Sequence, residues 1–239
     1  MLTARSRGRQ RGRPPTSGES TTPGQRPLSC STPPTEAAIE RCAQVIAAGG
    51  VAVVPTDTLY GLAAGISNAE AVARVAAIKG RALGTGMPVL LASSEQVASV
   101  GVSAPYLEEL GAAFWPGGVT LVIPARPAID PRITDTRRTV AVRVPGMAVT
   151  REICRRAGAP ITGTSANRHG DPPPTSAAEA RAALGDAVDA LLDGGPVGGT
   201  ASTIVDLTGD RPRILRAGAV SWDDLRRIAP TIVDAASGP

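Results

Sequence analysis

Short apolar runs alternate with amphipathic segments from residue 35 onward, and this alternation predicts strands interleaved with helices. The apolar runs predict strands at residues 51–54, 87–92, 119–123, 139–144, 161–164, 188–192, 202–207 and 214–216. The amphipathic segments predict helices at residues 35–48, 67–79, 104–114, 149–157 and 176–184, and a last helix from residue 221. Such alternation is typical of an α/β fold. Because the last strands lack intervening helices, we expect a mixed parallel and antiparallel sheet flanked by helices.

Capping residues mark the ends of several predicted helices. Thr35 is a favourable N-cap for the first helix. Ser67 and Glu70 have the spacing of a capping box for the second helix, which we expect to end at Lys79 with Gly80 as its left-handed C-terminal residue.

Composition divides the chain at about residue 34. Residues 1–34 are rich in Arg, Pro, Ser, Thr and Gly, which predicts a disordered tail, and residues 35–239 contain no linker that would split a single catalytic domain. The tail has six arginines and one acid, whereas the remainder has 19 basic and 20 acidic residues. The tail is either an unstructured or misassigned start or a nucleic-acid-binding arm. Because the domain itself has no excess of basic residues, a positively charged site in it must arise from local clustering of basic side chains.

Several function classes are disfavoured by composition. Aromatic residues make up 2% of the chain, too few for a surface that stacks nucleic-acid bases. No apolar run approaches the roughly 20 residues that span a bilayer, so we expect no membrane association and a cytoplasmic location. The widely spaced Cys30, Cys42 and Cys154 and the single His169 form no metal-ligand pattern, so we expect no protein-held metal.

Polar residues follow several of the predicted strands, where α/β proteins bind ligands. They include hydroxyls, an amide and cations, and we single out Thr58, Lys79, Arg81, Arg143, Ser165, Asn167, Ser202 and Arg216. Lys79 is the only lysine among 25 basic residues. Each residue alone has a structural explanation, such as a surface ion pair or a cap. Together they predict a site for a ligand with phosphates and a carboxylate.

Six motifs in one order resemble the YrdC-like threonylcarbamoyl-AMP synthase family. They are PTDTLYGL at 55–62, KGR at 79–81, FWPGGVTL at 114–121, VAVRVP at 140–145, TSAN at 164–167, and STIV at 202–205 with ILR at 214–216. The resemblance covers about residues 36–228. It implies a twisted mixed sheet in a single domain, in the short form of the family without an extra C-terminal domain.

The resemblance implies a nucleotidyltransferase reaction. L-threonine, bicarbonate or CO₂, and ATP would give threonylcarbamoyl-AMP and pyrophosphate, for the threonylcarbamoyladenosine modification of tRNA. Mg²⁺ is expected to enter with ATP, held by the nucleotide rather than by a protein carboxylate cage. Implied partners are the downstream tRNA threonylcarbamoyl transferase proteins, and tRNA or double-stranded RNA is a further possible partner.

The resemblance also implies roles for single residues. Lys79 and Arg81 would be catalytic, and Thr58, Arg143 and Ser202 would bind L-threonine. The ATP-binding residues would be Lys79, Arg81, Thr85, Thr139, Ser165, Asn167 and Arg216. Ala82 and Thr85 depart from the residues usual in the family, so we expect one phosphate contact either to be weaker or to be supplied by the Thr85 hydroxyl.

Two other functions remain open from the sequence. One is a carbamoyl-adenylate module of another carbamoylation pathway, for which carbamoyl phosphate would replace threonine and bicarbonate. The other is a non-enzymatic protein that binds double-stranded RNA or tRNA, with an affinity that falls steeply as salt rises.

Overall fold

A computed structural model of the chain describes residues 34–80 and 83–234. These residues belong to one compact unit. The predicted tail, apart from residue 34, lies outside the described residues, as do Arg81 and Ala82.

The described residues form helices and strands in close alternation, as the sequence pattern predicts. In chain order they are α1 (Glu36–Ala47), β1 (Ala52–Val54), β2 (Gly61–Ala63), α2 (Ala69–Lys79), β3 (Val89–Leu90), α3 (Val97–Val100), α4 (Leu107–Phe114), β4 (Val119–Pro124), β5 (Thr139–Arg143), α5 (Ala148–Arg156), β6 (Ile161–Thr162), β7 (Thr164–Ser165), α6 (Ala177–Leu184), β8 (Ala190–Leu191), β9 (Thr203–Asp206), β10 (Arg213–Arg216), α7 (Trp222–Ile228) and β11 (Val233–Asp234).

The strands form two mixed sheets rather than the one sheet that we expected. The larger sheet has the order β11-β10-β9-β4-β5-β3-β6, and the smaller has the order β7-β2-β1-β8. In the larger sheet β4 pairs with β9 in parallel and with β5 antiparallel. In the smaller sheet β1 pairs with β8 in parallel and with β2 antiparallel. The predicted α/β class and the mixed pairing are confirmed.

Aliphatic side chains fill two hydrophobic clusters. The larger includes Val89, Leu121 and Val142 from three neighbouring strands of the larger sheet. The smaller includes Ile46 of α1 and Ile153 of α5 and covers one face of the smaller sheet. Each aliphatic side chain that is fully buried contributes about 1.5–3 kcal/mol, so these clusters hold the strand ends in place.

The N-caps of α1 and α2 test the helix starts that were predicted from capping residues. The Thr35 hydroxyl accepts a hydrogen bond from the Ala38 N–H, as predicted for the start of α1. The predicted cap at Ser67 is wrong by one residue, because Asn68 Oδ1 accepts from the N–H groups of Glu70 and Ala71. Both residue types are good caps, so the local sequence does not separate them.

Other differences arise from short elements. The helix predicted from residue 104 begins at Leu107, after Tyr106 takes a left-handed conformation with φ of 64°. The short strands β2 and β11 were not predicted. Gly61–Ala63 is too brief to show alternation and forms a strand only because β1 and β7 pair with it.

Candidate functional site

The turn after β1 is built by its own threonines. The Thr56 hydroxyl donates to the Leu59 carbonyl at 2.7 Å and accepts from the Thr58 and Leu59 N–H groups, each at 3.2 Å. Thr56 Oγ1 also lies 3.0 Å from Thr58 Oγ1. The turn thus holds the Thr58 hydroxyl at the end of β1, where the resemblance places a substrate contact.

Arg143 ends β5 and turns its guanidinium toward this threonine turn. Its Nη1 donates to Thr58 Oγ1 at 2.8 Å and its Nε donates to the Gly117 carbonyl at 2.7 Å. Its Nη2 lies 2.8 Å from Asp57 Oδ1, an ion-pair contact without the alignment of a hydrogen bond. Arg143 is only 4% exposed. Burial lowers the pKa of Arg143, and the Asp57 carboxylate opposes this shift.

Arg216 reaches the same region because of an irregularity in β10. Ile214 pairs with Val205 and Arg216 pairs with the preceding residue of β9, Ile204, so Leu215 is an extra residue in the ladder. A one-residue bulge of this kind changes the face toward which the following side chain points.

The Arg216 guanidinium contacts the residue just before β9. Its Nη2 donates to the Ser202 carbonyl at 2.9 Å and lies 3.3 Å from Ser202 Oγ. The Ser202 hydroxyl is in turn 2.8 Å from Thr120 Oγ1 of β4. Burial lowers the pKa of Arg216, and repulsion from Arg143 lowers it further. We call Arg143 and Arg216 the arginine pair: two partly desolvated cations that repel one another and would be stabilised by an anion.

Lys79 is placed differently. It ends α2, is 2% exposed, and extends its ammonium to the end of β7 and the residues just after it. Nζ lies 2.8 Å from the Ser165 carbonyl, 2.6 Å from the Asn167 carbonyl and 2.8 Å from Asn167 Oδ1. Asn167 Nδ2 donates in turn to the Asp171 carbonyl at 2.5 Å. We call Lys79, Ser165 and Asn167 the lysine turn, because the ammonium holds this backbone segment together.

The arginine pair and the lysine turn meet at one cavity of about 220 Å³. Six residues singled out in the sequence line it, and they are Thr58, Arg143, Ser165, Asn167, Ser202 and Arg216. Lys79 lies behind this lining and contacts it through Ser165 and Asn167. None of the described residues that line the cavity is Asp or Glu. Its chemistry therefore suits an anionic ligand with several hydrogen-bonding groups.

A larger cavity of about 770 Å³ lies elsewhere, between α3 and α4. Val97, Leu107 and Trp115 are among its lining residues. None of the site residues predicted from the sequence that the structure describes lines it. The smaller cavity is the candidate site because its charge and hydroxyl groups, rather than its size, match the predicted ligand.

Two predicted residues, Thr85 and Thr139, are not brought to the cavity. Thr139 begins β5, so it lies about 13 Å along the strand from Arg143 at a rise of roughly 3.3 Å per residue, and its N–H bonds to Asp135. Thr85 forms a bridge with the same Asp135. Neither lines the cavity, because both lie at the opposite end of β5. Arg81 lies outside the described residues, so its role stays a prediction.

Asp57 and Thr120 were not singled out from the sequence, although both lie within quoted motifs. Each touches a predicted residue: Asp57 contacts Arg143, and Thr120 contacts Ser202. A threonine inside an apolar strand and an acid inside a turn both have ordinary structural explanations. The signal that would have found them was their position within the motifs.

The part of the chain that the structure describes, residues 34–80 and 83–234, has neither a cluster of metal ligands nor a membrane-spanning helix. Across this part of the chain no three or more His, Cys, Asp or Glu side chains gather as a metal cluster would require. Its helices are all too short or too polar to cross a bilayer.

Comparison with known proteins places the chain in a family. The family model described as Telomere recombination, for the Sua5, YciO and YrdC proteins, matches residues 44–218. The chain belongs to the Sua5/YciO/YrdC family. Residues that build both the arginine pair and the lysine turn lie within the matched range.

Curated relatives give the family match more detail. The chain is 43% identical over 195 residues to a putative threonylcarbamoyl-AMP synthase of Mycobacterium tuberculosis, covering 80% of this chain and 88% of that protein. It is 34% identical to a threonylcarbamoyl-AMP synthase of Bacillus subtilis, covering 82% of this chain and 58% of that protein.

A solved structure agrees with the fold. The Sua5 protein of P. abyssi, in a crystal structure complexed with L-threonine, superposes with a TM-score of 0.80 and 32% identity. The similarity covers 83% of this chain and 59% of the P. abyssi chain. The chain therefore spans less than two thirds of that longer relative.

Proposed function

We propose that this chain is a threonylcarbamoyl-AMP synthase that uses L-threonine, bicarbonate or CO₂, and ATP. The main observation in support is the polar cavity lined by two arginines, the buried Arg143 and the more exposed Arg216. Relatives that share 34–43% identity bear this activity in their names, and one related structure contains L-threonine. The proposed class is a nucleotidyltransferase, because the adenylate of ATP is transferred to a carboxylate.

The proposed reaction has two bond-forming steps. The threonine amine and bicarbonate first condense to a carbamate, with loss of water. A carbamate oxygen then attacks the α-phosphorus of ATP, the bond from that phosphorus to the bridging oxygen breaks, and pyrophosphate leaves. Both reactants are anions, so catalysis depends mainly on positioning and on cations that stabilise the developing charge.

Within this proposal the arginine pair binds the amino acid and the adjacent phosphate. A guanidinium has five N–H donors, and Arg143 uses one on Nε and one on Nη1 for protein acceptors. Its Nη2 faces Asp57, so we assign the second N–H of Nη1 to the threonine carboxylate. Thr58 and Ser202 offer hydroxyls to the rest of the amino acid, and Arg216 contacts phosphate oxygens.

The lysine turn presents the Ser165 hydroxyl and Asn167 to the nucleotide. Lys79 contributes its positive charge and the shape of the turn, while Arg81 contacts the departing pyrophosphate. The described residues of the cavity lining offer Mg²⁺ no carboxylate, and in this proposal the metal enters as part of the Mg·ATP substrate, coordinated by the phosphates. The reaction takes place in the cytoplasm, and the short-lived product passes to tRNA threonylcarbamoyl transferase proteins.

The test is to identify the product rather than pyrophosphate alone, because a simple threonine adenylation also releases pyrophosphate. Purified protein is incubated with Mg·ATP, L-threonine and ¹³C-bicarbonate, and the nucleotide products are analysed by mass spectrometry. The proposal predicts an AMP conjugate that contains threonine and one ¹³C atom. A threonyl-AMP without ¹³C, or no threonine-dependent product, would refute it. So would a parallel incubation in which carbamoyl phosphate replaces L-threonine and bicarbonate and an AMP conjugate still forms.

A further inference from the structure

The Arg143–Asp57 pair differs from the other ion pairs of the described residues. The Arg143 side chain is 5% exposed, whereas the arginine side chains of the other pairs are 24–72% exposed. A surface pair contributes little, but a buried arginine depends strongly on its counter-charge. The Asp57 carboxylate therefore has more influence on its partner than any surface acid has.

Asp57 acts on Arg143 from outside the cavity. It is not among the residues that line the cavity, whereas Arg143 is. Its Oδ1 lies 2.8 Å from Arg143 Nη2. The other two guanidinium nitrogens donate hydrogen bonds, Nη1 to Thr58 Oγ1 and Nε to the Gly117 carbonyl. The three contacts come from three sides of a planar group, so together they fix both its position and its plane.

Gly146 leaves the space that the Asp57 carboxylate occupies. A Cβ at Gly146 would lie 2.8 Å from Asp57 Oδ2 and 3.0 Å from its Cγ. The φ of Gly146 is not in the left-handed region, so the backbone itself would accept alanine. The glycine is thus explained by the neighbouring carboxylate and not by conformation. It follows Arg143 by only three residues, so the loop that leaves β5 shapes the pocket for the acid.

We propose that Asp57 is a positioning residue that orients the Arg143 guanidinium for the carboxylate of the amino-acid substrate, and that Gly146 makes room for it. The part that concerns the substrate rests on the proposed function. Asp57 touches no substrate; it lowers the cost of keeping Arg143 charged and fixed in a desolvated site. Loss of this positioning raises the KM for L-threonine and leaves the KM for ATP nearly unchanged.

Two variants test the proposal from two sides. Asp57→Asn removes the charge and keeps the shape, and Gly146→Ala displaces the carboxylate and keeps the charge. Asp189→Asn is the matched control, because Asp189 also pairs with an arginine, Arg74, at 2.7 Å but on the surface. Thermal melts verify that each variant folds, and if Asp57→Asn fails to fold, Gly146→Ala alone decides.

The first readout needs no substrate. The Arg143 Nε–H resonance is followed by ¹⁵N NMR and assigned by its loss in Arg143→Lys. We expect the signal to shift and its hydrogen exchange to accelerate by about tenfold or more in both variants, as a loosened charge-assisted contact implies, and to stay unchanged in Asp189→Asn. An unchanged signal in Asp57→Asn and Gly146→Ala overturns the proposal, whatever the activity.

The second readout is kinetic. We expect both variants to raise the KM for L-threonine by about tenfold, with a change in the KM for ATP of less than about twofold, because only the amino-acid contact is affected. Equal increases in both KM values overturn the assignment to the amino acid. If the NMR signal moves as expected but the wild type forms no threonine-dependent product, the positioning of Arg143 stands and the proposed function fails.

Discussion

The arginine pair and the lysine turn use positive charge in different ways. Arg143 and Arg216 both line the cavity and lie close enough for repulsion to lower the pKa of Arg216. The Lys79 ammonium instead meets carbonyl and amide oxygens of Ser165 and Asn167 at 2.6–2.8 Å. Charge in the arginine pair is thus directed at a ligand, whereas charge in the lysine turn mainly stabilises a backbone conformation.

The largest effect is expected when the buried Arg143 is replaced. We expect Arg143→Met to lower kcat/KM for L-threonine by about 10³-fold, because it removes the carboxylate contact and leaves Asp57 near a desolvated site. Arg143→Lys keeps the charge but not the planar fork, so it should recover only a small part of the activity. Arg74→Met, at the surface pair, is the control. Wild-type threonine kinetics in Arg143→Met would remove the arginine pair from the mechanism.

Replacing the lysine tests whether its charge is structural. We expect Lys79→Met to lower turnover by about 10²-fold and to lower stability by about 2–4 kcal/mol, since buried carbonyls of Ser165 and Asn167 lose their donor. Lys79→Arg should fold poorly as well, because the site is closely fitted to an ammonium. The measurements are steady-state turnover and urea unfolding. A full loss of turnover with unchanged stability would show that Lys79 acts on the ligand alone.

Arg216 should behave in the opposite way toward stability. Arg216→Met removes the repulsion from Arg143, so we expect the free energy of unfolding to change by less than about 1 kcal/mol or to rise. The KM for ATP should increase by about tenfold, as for the loss of one charge-assisted contact. Parallel urea unfolding and ATP kinetics measure both effects. A destabilisation as large as that of Lys79→Met would make the two cation sites equivalent.

The smallest effect is expected at the surface pair. The hydrogen bond from Arg74 lowers the pKa of Asp189. A lowered pKa stabilises the fold above the unfolded value of about 3.9, and this contribution is lost as the pH falls through the folded value. We therefore expect Asp189→Asn to cost at most about 1 kcal/mol at pH 7, less at pH 3, and to leave turnover unchanged. A large loss of turnover would mean that the comparison with Asp57 is invalid.

The fold could be predicted where the local signal is long. The apolar run of β4 and the capped start of α6 lie close to their predicted positions, since the Ser176 hydroxyl accepts from the Glu179 N–H. The two-residue strand β11 depends on pairing with β10 and has no local signal of its own. The division into two sheets depends on long-range pairing, such as that of β1 with β8, which periodicity does not reveal.

The candidate site shows the same limit. The motifs identify the residues that line the cavity, but not the contacts between residues far apart in sequence. Thr120 and Ser202 are 82 positions apart, and their hydroxyls meet only because β4 and β9 are neighbours. Likewise, the motifs name Lys79 but do not indicate that Ser165 and Asn167 surround its ammonium. The sequence predicted which residues form the site. It did not predict that the arginines face a ligand whereas the lysine stabilises a backbone turn, because that difference depends on contacts between distant residues.

The most direct measurement is a calorimetric titration of L-threonine into protein saturated with Mg²⁺ and α,β-methylene-ATP, which blocks pyrophosphate release. The account predicts one threonine bound per chain in the wild type and in Arg74→Met, and no detectable binding in Arg143→Met. Absence of binding in the wild type, or equal binding in Arg143→Met, would contradict the claim that the arginine pair receives the amino acid beside the nucleotide.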